Sequence, residues 1–80
     1  MGEHRMEGKY LLWRMAGQPT FELNVGEAIT RYRMRFGVMP TMVTANAADV
    51  PAGCTEVDGV MVMVDKETLI KHLCVGMAKK

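Results

Sequence analysis

The stretch from Asn24 to Gly37 limits the fold most, because both of its ends carry helix signals. Asn24 is a good N-cap, Glu27 stands three residues later at the capping-box position, and Gly37 follows as a C-cap. The pattern predicts one long helix. At about 100° per residue, Val25, Ala28, Ile29, Tyr32 and Phe36 fall within an arc of roughly 100°, the core stripe of a surface helix. Arg31 and Arg35 flank one side of that stripe and Arg33 the other, while Met34 points nearly opposite the core and is expected to be exposed.

On either side of the helix the residues are β-prone. Lys9 to Met15 forms a short aromatic and aliphatic run, Ala16 to Pro19 supplies a turn, and Thr20 to Leu23 is expected to return as the second strand of a hairpin. Pro40 suits a helix-to-strand connection before a strand over Thr41 to Ala45, and Asn46 to Gly53 reads as a loop. Asp58-Gly59 lies between Cys54–Val57 and Val60–Val64, a strong hairpin signal. One helical turn is then expected, followed by a strand over Lys71 to Met77.

The expected fold is a small single α+β domain of order β-β-α-β-β-β, with a mostly antiparallel sheet and one long helix. Residues 1–8 are expected to form a flexible arm, 9–77 the domain and 78–80 a frayed end. Within Val60–Val64, Met61 and Met63 alternate with valines, so both faces of that strand are apolar. A helix roughly 10 Å wide spans about two strand spacings and cannot cover both faces of such a sheet. The sheet must close into a barrel, be covered by a second chain, or be overlaid by its own loops, such as Asn46 to Gly53. Among nine methionines in 80 residues, these adaptable side chains suit either a core gap or a binding surface.

The net charge of +1 carries no wide electrostatic footprint for nucleic acid or an anionic membrane. The distribution is bipolar, with Arg31, Arg33 and Arg35 clustered and only acids (Asp49, Glu56, Asp58 and Asp65) from Phe36 to Asp65. The longest uncharged stretch, Phe36 to Ala48, is 13 residues and is interrupted by Pro40, whereas a membrane helix needs roughly 18 apolar residues or more. With no secretory signal in view, a cytoplasmic location is expected, with Cys54 and Cys74 reduced.

In a strand, His72 and Cys74 share a face, which raises thiol or metal chemistry. A structural zinc site needs four ligands in close pairs, and His4, His72, Cys54 and Cys74 lack that spacing. The plainer reading is a buried thiol beside an edge histidine. Asp49, Asp58 and Asp65 each have a turn or loop role, and no phosphate-binding glycine motif or nucleophile elbow occurs. No cofactor, metal ligand or catalytic residue is therefore assigned. Residues 35–51, RFGVMPTMVTANAADVP, locally resemble the helix, Gly-x-x-Pro, strand, Asn-x-x-Asp succession of some tailed-phage capsid proteins. The resemblance covers 17 of 80 residues and carries over neither fold nor site.

The expected function is a small non-enzymatic interaction module that self-associates through an apolar, Met-rich sheet face. Its candidate contact residues are Arg31, Met34, Arg35, Met61 and Met63, and the expected partner is a second copy or another protein. One alternative is a nucleic-acid-binding accessory protein using Arg31, Arg33 and Arg35. The other is a thiol- or metal-dependent enzyme using His72 and Cys74.

Overall fold

The computed structural model describes residues 6–78. Its elements are β1 (Met6–Arg14), α1 (Phe21–Phe36), β2 (Met42–Ala45), β3 (Glu56–Val57), β4 (Val60–Val64) and β5 (His72–Ala78). The strands form one open sheet in the order β1-β5-β2-β4-β3. Its pairings are antiparallel except for β2 with β4, so the expected class holds and the sheet does not close into a barrel. Of the expected arm, residues 1–5 lie outside the described residues and 6–8 belong to β1; Ala78 closes β5, and 79–80 lie outside.

The observed order is β-α-β-β-β-β, in place of the expected β-β-α-β-β-β. Thr20 to Leu23 is not a returning strand: Thr20 is the N-cap of α1, its hydroxyl accepting from Leu23 N at 3.2 Å. Asn24 is not the cap. It lies inside the first turn, buried, and donates its side-chain amide to Thr20 O at 2.7 Å. Asn24 with Glu27 imitates a capping box, whereas Thr20 lacks the acidic residue three positions on that makes such a box visible. At the other end Gly37 closes the helix at φ 78, its N–H donating to Arg33 O.

The helix buries Val25, Ala28, Ile29 and Tyr32, with Phe36 partly buried, against one face of the sheet. That face supplies Val43, Ala45, Val60, Val62, Leu73 and Val75, joined at the β1 edge by Leu11 and Trp13. The expected stripe is therefore the core stripe, extended one turn back to Phe21. The β3–β4 hairpin turns at Asp58 and Gly59, with φ 52 and 82; a type I′ turn needs positive φ at both positions. Residues 65–71 form two tight turns in place of a helical turn, with Thr68 N bonded to Asp65 O and His72 N to Leu69 O. Among the described residues no helix is long and apolar enough to cross a membrane.

Candidate functional site

Side chains alternate across each strand, so the residues between the core positions face away from the helix. The register arranges them in cross-strand rows. One row runs Tyr10, Gly76, Met42, Met61, and the next runs Leu12, Cys74, Thr44, Met63. Gly76 and Met42 are buried beneath their neighbours, yet Met42 lies outside the helix-side core cluster. The outer members are exposed: Tyr10 at 54%, Leu12 at 67% and Met61 at 42%, with Met63 half-buried.

Among the described residues, the chain covers one end of this face. Thr68 reaches Thr44, their hydroxyls 3.0 Å apart, and its carbonyl accepts from Asn46 Nδ2 at 3.1 Å. The Asn46 to Gly53 loop does not lie across the open face, because its Val50 packs against the helix-side core. Leu69 and Ile70, on the turn that reaches Thr44, are themselves exposed.

The expected contact residues divide between two surfaces. Met61 and Met63 lie on the open sheet face, whereas Arg31, Met34 and Arg35 lie on the helix that covers the opposite face. Met34 is 74% exposed, as the helix phase predicts. The Arg31 guanidinium stacks 5.5 Å over the Trp13 ring, and Arg35 and Lys9 lie 5.6 and 5.8 Å from the Phe36 centroid. These cations therefore cap aromatic edges of their own core, which gives them a role without a nucleic acid.

His72 and Cys74 stand in adjacent rows of the open face. The His72 ring contacts Ile70 O at 3.0 Å. Burial pushes the Cys74 thiol up, aided by the Asp65 charge and opposed by a hydrogen bond with Thr44. That direction is opposite to the one a nucleophilic thiol needs. Among the described residues no group of three or more His, Cys, Asp and Glu is placed to hold a metal ion.

Tyr10, Leu12 and Met42 belong to the open face, and their residue types alone do not mark them. Tyr10 to Trp13 is apolar at every position, so only pairing with β5 decides which two residues face out. Compared with known protein families, curated proteins and solved structures, the chain matches none.

Proposed function

We propose that this chain is a small non-enzymatic interaction module that self-associates through its open sheet face. One observation carries the reading: two largely apolar cross-strand rows, ending in exposed Tyr10, Leu12 and Met61, have no helix of the described residues over them. A sheet face of this kind is the buried layer of a two-sheet sandwich when a second sheet packs about 10 Å above it. A domain of this size also has little core to spare, so covering the face adds to a marginal stability.

A second copy is the occupant that the charges favour. Arg14 stands beside Leu12 at the β1 edge and Glu56 is paired with Met61 at the β3 edge, both exposed. A twofold axis along the strands lays each basic edge over the acidic edge of the other copy, with the methionines and Leu12 between them.

Sedimentation velocity of the Leu12→Ser, Met61→Ser double variant at about 1 M salt, where contacts between exposed charges are screened, tests the reading. Both side chains are exposed in the monomer, so the variant stays folded and its association weakens by about tenfold or more, from lost apolar burial. A folded variant that associates as the parent does contradicts the reading.

A further inference from the structure

The helix face turned away from the sheet is a second surface, and its use does not depend on the sheet-face reading. At about 100° per residue, Leu23, Glu27, Thr30 and Met34 form one outward stripe. Glu22 and Gly26 flank it on the side of the β3–β4 turn, with Arg33 further along that flank. Arg31 flanks the other side, over Trp13 of β1. The stripe is apolar at its two ends, where Leu23 and Met34 are both exposed. Its charges are segregated: Glu22 and Glu27 lie in the N-terminal half, and Arg31, Arg33 and Arg35 in the C-terminal half.

We infer that two copies of this chain pair through these helices, antiparallel and face to face about a twofold axis. A parallel pair sets acids against acids. In a twofold antiparallel pair, residues whose numbers sum to a constant come opposite each other, and each flank meets the same flank of the other helix. Setting Leu23 opposite Met34 of the second copy brings Glu27 within one residue of Arg31 of that copy on one flank. It also brings Glu22 near the second copy's Arg33 on the other flank. Every contact occurs twice.

The N-terminal half of the stripe is shaped to receive it. Leu23, Glu22, Gly26, Glu27, Val57 and Asp58 line an open groove of about 460 Å³, over which Met34 of the second copy comes to lie. The Oε1 atom of Glu27 is buried and has no hydrogen-bond partner among the described residues, so the carboxylate gains one by turning outward to an arginine of the second copy. The Asp58 carboxylate lies 3.3 Å from where a Cβ on Gly26 would be, and it adds a second acid to the flank that meets Arg33. Gly26 lets the β3–β4 turn approach the helix closely, which brings Asp58 to that flank.

The contact rests on one helix face about 24 Å long, so it is weak and salt-sensitive. Its test uses the Leu12→Ser, Met61→Ser chain, in which the sheet face is silenced, followed by sedimentation velocity. This chain is expected to dimerise at low salt and to lose about tenfold or more in affinity between about 0.01 and 1 M salt, as the screening length falls from about 30 to 3 Å. In that background Glu27→Arg and Arg31→Glu each abolish the dimer by setting like charges together, and an equimolar mixture of the two restores it as a mixed dimer. Met34→Asp abolishes it without touching the Arg31–Trp13 contact, and circular dichroism confirms that each variant is folded. The helix pair is overturned if the silenced chain is a monomer at low salt, if the folded charge reversals leave its dimer unchanged, or if the mixture stays monomeric. None of these results bears on association of the parent chain through the sheet.

Discussion

The hydroxyl of Tyr32, buried in the helix–sheet core, donates a hydrogen bond of 3.1 Å to the carbonyl of Lys9 in the edge strand. The strand is irregular at that point: Glu7 pairs with Met77 but Tyr10 with Gly76, leaving Gly8 and Lys9 outside the ladder. The helix thus satisfies a carbonyl that a β-bulge releases, and it anchors the end of β1 that carries Tyr10 and Leu12. Tyr32→Phe keeps the ring and its tilted packing on Phe36 but removes the donor. A loss of about 1 kcal/mol is expected in urea unfolding, from one net hydrogen bond.

The two faces of the sheet predict opposite outcomes for similar substitutions. Leu73 is fully buried against the helix, so Leu73→Ala costs about 3 kcal/mol through lost transfer energy and a residual cavity. Leu12 lies across the sheet from that core and is mostly exposed, so Leu12→Ser shifts the stability of the monomer by about 0.5 kcal/mol or less. Chemical denaturation at low protein concentration measures both.

The hairpin that sets β3 against β4 depends on its turn. Gly59 holds φ 82, a region that side chains with a Cβ enter at a cost. Gly59→Ala is expected to destabilise the chain by about 1 kcal/mol through that backbone strain. Thermal unfolding followed by circular dichroism reads the effect.

Cys74 gives a pH-dependent prediction. Because burial raises its pKa, the thiolate fraction at neutral pH is below that of a free thiol, and alkylation is correspondingly slow. Iodoacetamide rates measured across pH are expected to rise with a midpoint above the ordinary thiol range. A Cys74 that reacts fast at neutral pH contradicts this environment and favours the thiol-enzyme reading.

The parts of the fold legible in the sequence are those fixed by local chemistry. The stripe Val25, Ala28, Ile29 and Tyr32, the exposure of Met34, the Gly37 cap and the Asp58-Gly59 turn follow from helix phase and from residues that tolerate positive φ. The helix start was hidden because Asn24, the better capping residue by type, is used instead to tie the first turn to the carbonyl of Thr20. Strand neighbours were not legible either. Placing β5 between β1 and β2 decides which of Tyr10, Leu11, Leu12 and Trp13 face out, and that pairing is long-range in the chain. Met61 and Met63 were recognisable as one apolar face of β4, but only the sheet order shows that Met42, Tyr10 and Leu12 continue it.

The methionine methyl groups offer the most direct test of self-association through the sheet face, because they sample both surfaces in one experiment. In methyl-labelled protein at high salt, where the helix contact is screened, dilution from about 1 mM to about 10 μM should release a dimer of moderate affinity. The Met61 and Met63 resonances are then expected to shift together along one binding curve, while that of Met34 stays in place. Met61 and Met63 resonances that do not move across the whole dilution series would contradict self-association through this face.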